Sequence, residues 1–131
     1  MLGRGVVLDV ARDADVVLED GCVLLDGCRL HVRGGRVRIG AGAVLGERCV
    51  LLVHAGAEVG GGARLADGVV ICDFEHDHAD VERPVRHQPL QADPVTIGAR
   101  ARIGPGAVLG PGARVRAGGT VGAHAVLPAR R

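Results

Sequence analysis

A six-residue repeat of branched aliphatic residues runs through most of the chain. Counted in groups of three, its positions are Leu18, Leu24, Leu30; Ile39, Leu45, Leu51; Val59, Leu65, Ile71; Ile97, Ile103, Leu109; and Val115, Val121, Leu127. The residue four positions after each of these is Cys, Gly, Ala or Val, except at Glu75 and Arg131. A period of six with one large and one small inward residue predicts short flat strands joined by sharp corners.

Three such strands make one triangular coil of eighteen residues, and the coils stack. The repeat breaks after Leu30, Leu51 and Ile71, each time between groups of three, so every insertion is expected to leave the prism at the same edge. Five coils at about 4.8 Å each give a stem about 24 Å tall, with residues 1–17 as an imperfect capping coil. The chain is expected to form one all-β domain over residues 1–131.

The composition agrees with a narrow interior. Phe74 is the only aromatic residue of the Phe, Tyr and Trp types, and there are 22 glycines. Cys22, Cys28 and Cys49 occupy the small inward position and are interpreted as core residues, since no C-x-x-C spacing indicates a zinc site. Glycines that directly follow the aliphatic residue are expected where corners need unusual backbone angles: Gly40, Gly46, Gly60, Gly98, Gly104, Gly110 and Gly122.

The charge distribution argues against nucleic acid as a partner. Sixteen basic residues, all arginine, are interspersed with fifteen acidic ones for a net charge of +1. No apolar run approaches the ~20 residues of a membrane span, and the N-terminus does not resemble a signal peptide. The expectation is a cytoplasmic protein without a membrane partner.

The largest break, residues 73–94, is a polar stretch that holds three of the six histidines, His76, His78 and His87. Insertions this long within compact domains are usually functional. The histidines could be solvated loop residues, a general base, or zinc ligands together with His54 one coil below. Cys72 could be a nucleophile, but its place after the inward Ile71 favours a turn residue.

The [LIV]-G-x-x-[ASTC]-x repeats resemble those of the left-handed β-helix hexapeptide-repeat acyltransferases. "DFEH" (73–76), "ERPVRHQPL", "PVTIG" (94–98) and "ARIGPGAVLGPGARV" follow one another as in the branch of galactoside, maltoside and surface-sugar O-acetyltransferases. The resemblance implies a left-handed parallel β-helix of about five triangular coils with one long loop.

The resemblance also implies site residues. His76 takes the place of the general base, and Asp73, Asp77 and His78 are placed to orient it or bind the acceptor. Acetyl-coenzyme A is expected along the later coils, in a groove between neighbouring subunits of a homotrimer. The matching positions are Gly104, Pro105, Ala123, Pro128 and Ala129, with Arg102 where the family usually has Trp.

The function predicted from the sequence is therefore acetyl transfer from acetyl-coenzyme A to a hydroxyl of a small acceptor, a sugar, with His76 as base and no metal. Two alternatives stay open. One is a non-catalytic trimeric β-helix scaffold, in which the insertion serves as a docking arm. The other is a zinc-dependent hydratase or lyase.

Overall fold

Three parallel sheets enclose the core of the protein in its computed structural model, which describes residues 1–75 and 91–128. Sheet I contains β1 (Val7–Val10), β4 (Arg29–Val32), β7 (Val50–Val53), β10 (Val70–Cys72), β15 (Val108–Leu109) and β18 (Val126–Leu127). Sheet II contains β2 (Asp15–Leu18), β5 (Arg36–Ile39), β8 (Gly56–Val59), β13 (Val95–Ile97) and β16 (Arg114–Val115). Sheet III contains β3 (Val23–Leu24), β6 (Val44–Leu45), β9 (Arg64–Leu65), β14 (Arg102–Ile103) and β17 (Thr120–Val121).

Each turn of the chain adds one strand to each sheet. The chain passes from sheet I to II, to III and back to I, so it bends at a I–II edge, a II–III edge and a III–I edge. Equivalent residues of successive coils pair in parallel, as Leu30 does with Leu51, and Leu51 with Ile71. The predicted left-handed parallel β-helix of about five triangular coils is confirmed.

The aliphatic repeat fills the interior. Thirteen of its fifteen residues are buried, and Leu18 and Leu127, near the two ends of the stem, pack against the core while partly exposed. Cys22, Cys28 and Cys49 are buried with them, which confirms their interpretation as core residues. Stacked aliphatic side chains therefore supply the hydrophobic stabilisation that aromatic rings give wider folds.

The glycines that follow the aliphatic residue have a different role from the one predicted. None of the seven has a positive φ. At Gly60, an added Cβ would come within 2.4 Å of the backbone nitrogen of Ala99 in the next coil. These corners need glycine mainly because stacked backbones approach closely, and the left-handed residue comes two positions later, as at Gly62 and Gly106.

The extra residues all leave at the I–II edge, as predicted. They are 33–35 between β4 and β5, 54–55 between β7 and β8, and 73–94 between β10 and β13. The described ends of the largest insertion are not simple loop, however. Phe74–Glu75 (β11) and Gln91–Ala92 (β12) pair as antiparallel strands at its base.

The N-terminal residues cover the first full coil incompletely. β1 pairs with β4, and Leu2 forms an isolated parallel bridge with Leu24. Val7 and Leu8 stay 40% exposed, as expected for an imperfect cap. Within the described residues, no helix is long and apolar enough to cross a membrane.

Candidate functional site

A groove runs along the outer surface of sheet III, parallel to the axis of the β-helix. Its volume is about 500 Å³, and the half-buried side chains of Leu25, Val44 and Ala66 contribute to an apolar lining. Pro105 lies where the groove meets the III–I edge of the β-helix. Slender apolar grooves with a few polar groups are typical ligand sites.

Two arginines give this groove its charge. Arg64 in β9 and Arg102 in β14 are paired in register on neighbouring coils, and both side chains are exposed. Among the described residues, neither guanidinium has a carboxylate within ion-pairing distance. The acidic residue of the lining, Asp67, accepts a hydrogen bond of 2.8 Å from the backbone N–H of Glu47 through Oδ1. The two guanidiniums are therefore available to an anionic ligand.

The III–I edge next to the groove is built from closely stacked turns. Gly104 lies so near the following coil that a Cβ would come within 2.6 Å of the nitrogen of Ala123. One position further on, His124 donates its backbone N–H to the carbonyl of Pro105 at 2.9 Å. Arg102, Gly104, Pro105 and Ala123, four of the predicted coenzyme-binding positions, thus lie in one region.

Pro128 does not join this region. β18 carries the chain across sheet I before it reaches Pro128, which lies at the opposite edge, near Gly110. The expectation that Pro128 shares a groove with Gly104 and Pro105 is therefore not met within one protomer. Ala129 lies outside the described residues.

Asp73 has a structural role that the sequence did not reveal. Its side chain is fully buried. Oδ1 accepts a hydrogen bond from the backbone N–H of His54 at 2.8 Å, and Oδ2 accepts those of Ala55 at 2.7 Å and Gly56 at 2.8 Å. The predicted contact of Asp73 with an acceptor is wrong for this arrangement, because the carboxylate already caps three donors inside the I–II edge. Its predicted orienting role toward His76 stays a prediction.

An aromatic contact lies beside this buried carboxylate. The rings of His54 and Phe74 meet edge to face, with centroids 4.4 Å apart and an interplanar angle of 79°. Phe74 is the second residue of the insertion and the first of β11. The contact therefore links the start of the insertion to the coil below.

The remaining predicted residues of the insertion lie outside the described ranges. These are His76, Asp77 and His78, so their roles as base and acceptor-binding residues stay predictions. Within residues 1–75 and 91–128, no group of three or more His, Cys, Asp and Glu side chains is placed to hold a metal ion. This finding does not test a zinc site that uses the insertion's histidines.

The cysteines form part of the scaffold. The Cys28 thiol donates to the carbonyl of Gly46 at 3.1 Å, and the Cys49 thiol to that of Ala66 at 3.2 Å. A hydrogen bond with Cys28, together with burial, raises the pKa of the Cys49 thiol, which keeps it protonated. Cys72, at the end of β10, donates its thiol to the carbonyl of Phe74 at 3.3 Å. Cys72 pairs with Leu52 as the last residue of β10, so the predicted turn position is wrong. Its role as a nucleophile stays an untested hypothesis.

Arg64 has no role predicted from the sequence. It occupies the repeat position of Arg102 one coil lower, and this match could have been found by counting the repeat across the insertion. His54 was considered only as a zinc ligand. Its contact with Phe74 could not be found by counting, because it depends on how the insertion leaves the coil.

Comparison with known proteins gives relatives for both the sequence and the fold. No protein-family model matches the chain. Over 128 residues, the chain is 31% identical to the Mycobacterium tuberculosis (strain ATCC 25618 / H37Rv) protein named "Probable acetyltransferase Rv3034c". The match covers 96% of this chain but 42% of that protein, so the chain spans less than half of the relative's length.

Among solved structures, the chain is similar to AntD, an N-acyltransferase from Bacillus cereus in complex with dTDP and 3-hydroxybutyryl-CoA. The TM-score is 0.75 at 18% identity, covering 95% of this chain and 70% of that one. A mutant of AntD in complex with dTDP and coenzyme A gives a TM-score of 0.72 at 17% identity, covering 95% and 71%. At this level of identity, the likeness shows a shared fold.

Proposed function

We propose that the protein transfers an acetyl group from acetyl-coenzyme A to a hydroxyl of a small acceptor, a sugar. The observation that carries this proposal is the sheet III groove. It joins an apolar lining to the guanidiniums of Arg64 and Arg102, which have no carboxylate partner among the described residues. Its end at Arg102 and Pro105 overlaps the positions where the sequence resemblance expects the coenzyme. The sequence relative named as a probable acetyltransferase and the fold neighbour in complex with an acyl-CoA support the same chemistry.

The groove suits the parts of coenzyme A. Guanidinium groups bind phosphate oxygens in a bidentate manner, so Arg64 and Arg102 together would hold the pyrophosphate. The apolar lining at Leu25, Val44 and Ala66 would contact the pantetheine chain. When bound, acetyl-coenzyme A supplies an acyl group already activated as a thioester.

His76 is the proposed general base. Imidazole side chains titrate near neutral pH and are common general bases. The base takes the hydroxyl proton as the acceptor oxygen forms its bond to the acyl carbon. The C–S bond breaks, and the proton passes from the imidazolium to the departing sulfur. Because both substrates are held side by side, no covalent enzyme intermediate is needed.

The described residues that lead into the insertion, 73–75, lie at the I–II edge, whereas Gly104 and Pro105 lie at the III–I edge. A four-residue strand such as β7 spans about 10 Å between the two edges. We infer that a second copy brings the two parts of the site together, because head-to-tail rings of three or more subunits pair unlike surfaces of neighbouring protomers. A homotrimer would do this.

The outer surface of sheet I suits such an interface. Its outward residues in the middle and later coils are mostly apolar: Val50, Leu52, Val70, Val108 and Val126. The outward residues of sheet II in register with one another are instead charged or polar, as at Arg38, Glu58 and Thr96. Burying the apolar sheet between copies would remove it from water.

Isothermal titration calorimetry with coenzyme A tests the donor site. The parent protein is expected to bind, and Arg64→Ala/Arg102→Ala is expected to bind at least about tenfold more weakly, a loss of ~1.4 kcal/mol. Arg12→Ala is the matched control, since Arg12 is an exposed arginine remote from the groove. Absence of binding by the parent would favour the scaffold alternative.

Acetyl transfer to a panel of methyl hexopyranosides tests the reaction. The assay measures the free thiol of coenzyme A that each transfer releases. His76→Ala should lower kcat roughly 10²–10⁴-fold while leaving the affinity for coenzyme A unchanged. Turnover within a few-fold of the parent would contradict the role of His76. Amino sugars added to the acceptor panel show whether an amine is acylated instead of a hydroxyl. Elemental analysis for zinc tests the hydratase or lyase alternative.

A further inference from the structure

His54 is held rigidly at the point where the insertion begins. Its backbone N–H donates to the buried carboxylate of Asp73 at 2.8 Å. On the opposite side, its carbonyl lies against Gly34, where an added Cβ would come within 2.6 Å of the oxygen. The backbone is thus fixed from the coils above and below, so the imidazole leaves the stem from a defined position.

The imidazole of His54 has two ring nitrogens that can form hydrogen bonds with a ligand. Its side chain is partly exposed, and among the described residues neither ring nitrogen makes a hydrogen bond. His31, which lies within β4 of sheet I, differs in this respect because its Nδ1 lies 3.3 Å from Oδ2 of Asp9. A neutral imidazole provides one donor and one acceptor, both of which a hydroxylated ligand can use.

An open groove begins two residues further along the chain. It lies on sheet II, has a volume of about 360 Å³, and extends from Gly56 and Pro94 to Glu58 and Thr96. Arg38 in the same groove is held by Glu19 at 3.0 Å and Glu58 at 2.5 Å, so its charge is already compensated. The surroundings favour a neutral, polar ligand over an anionic one.

We propose that His54 and Phe74 form part of the acceptor site. A ring nitrogen of His54 hydrogen-bonds to a hydroxyl of the acceptor, and Phe74 packs against the apolar face of its ring. A pyranose has both features, since hydroxyls surround a face made of C–H groups, and an aromatic ring beside a hydrogen-bonding group matches them. This inference rests on the proposed acetyl transfer but assigns residues that lie in the coil and at the base of the insertion.

His54 is then a specificity residue. A site that hydrogen-bonds a substrate hydroxyl rejects an analogue without that hydroxyl far better than a purely apolar site does. The parent protein should therefore discriminate against one deoxy analogue of its preferred hexopyranoside. The discrimination should shrink when the imidazole is removed.

The test compares His54→Phe with the parent, using the panel of methyl hexopyranosides and their monodeoxy analogues. Phenylalanine keeps an aromatic contact with Phe74 but has no nitrogen. We expect the acceptor KM to rise about tenfold, with kcat within about threefold of the parent and the melting temperature within about 2 °C. His31→Phe is the control and should leave the acceptor KM unchanged.

An unchanged acceptor KM in His54→Phe, with deoxy discrimination intact, would overturn the inference while leaving the proposed function in place. If the parent acetylates none of the panel, the proposed function fails for these sugars. In that case the ¹⁵N imidazole resonance of His54, assigned by its absence from His54→Phe, is followed during titration with the same sugars. A shift supports the inference, and no shift overturns it.

Discussion

The two edges of sheet I turn the chain in different ways. At the III–I edge, successive coils place a left-handed residue at the same position: Gly27, Arg48, Gly68, Gly106 and His124, with φ between 58° and 77°. The backbone N–H of each donates to the coil below, as Gly68 does to Glu47 at 2.9 Å and Gly106 to Asp67 at 3.0 Å. At the I–II edge, the turns differ in length, and the side chain of Asp73 holds one of them.

This difference shows where the fold allows variation. The III–I edge satisfies its buried polar groups mainly with backbone hydrogen bonds between coils, and Asp26 and Asp67 each cap one exposed N–H. It therefore repeats from coil to coil and leaves a continuous groove beside it. The I–II edge departs from the repeat, and a buried carboxylate then has to cap the donors that the backbone leaves unpaired. The proposed donor site lies at the regular edge and the proposed acceptor site at the irregular one.

The largest effect is expected at the irregular edge. Asp73→Asn should destabilise the protein by about 3 kcal/mol, because an amide has a single acceptor oxygen for three backbone donors, one buried and two part-buried. Chemical denaturation measures this change in the free energy of unfolding. Asp67→Asn is the control at the regular edge: Asp67 caps a single exposed N–H, and we expect a loss below ~1 kcal/mol. Equal losses for the two variants would show that the edges do not differ in this way.

A smaller effect is expected where stacked backbones meet. Gly60→Ala would place a Cβ 2.4 Å from a backbone nitrogen and should cost about 2 kcal/mol. Gly122 follows the aliphatic residue of a later coil in the same way, but an added Cβ would meet nothing within 4 Å. Gly122→Ala should therefore be neutral or stabilising by up to ~0.5 kcal/mol. Thermal unfolding of both variants checks the pair, and a costly Gly122→Ala would contradict close approach as the reason for these glycines.

The smallest effect concerns the left-handed residues of the regular edge. Arg48→Gly and His124→Gly should each stabilise the fold by about 0.5–1 kcal/mol, since φ is 58° and 59° at positions where other coils have glycine. Thr120→Gly, in a strand of the same region, should destabilise it by a similar amount. If Arg48→Gly and His124→Gly lose stability instead, the parent side chains stabilise the fold by more than their left-handed backbone conformation costs.

The regular part of the molecule could be predicted from the sequence because it depends on a repeat. The six-residue repeat predicted the number of coils and the inward residues, among them Leu30, Leu51 and Ile71, which pair across successive coils. Its breaks predicted the edge at which the insertions leave the stem. The glycines were located correctly but explained wrongly. Their positions follow from periodicity, whereas the contact between Gly60 and Ala99 depends on how closely coils stack.

The candidate site was harder to predict because it depends on contacts outside the repeat. Arg102 and Pro105 were placed by resemblance, and the groove adds Arg64, which the same register count could have identified. Asp73 belongs to a polar stretch in sequence, yet its carboxylate is buried in the coil below. No local pattern distinguishes such a buried cap from a solvated loop residue.

The central claim is that a complete site combines the III–I edge of one protomer with the I–II edge of its neighbour. Co-expression of His76→Ala with Arg64→Ala/Arg102→Ala tests it most directly, with acetyl-coenzyme A well below the KM of the double arginine variant, because each variant alone then has little activity. If sites are shared between neighbours, random co-assembly should restore about a quarter of the parent's acetyl-transfer activity. If co-assembled oligomers stay as inactive as the separate variants, each site lies within one protomer and the claim is wrong.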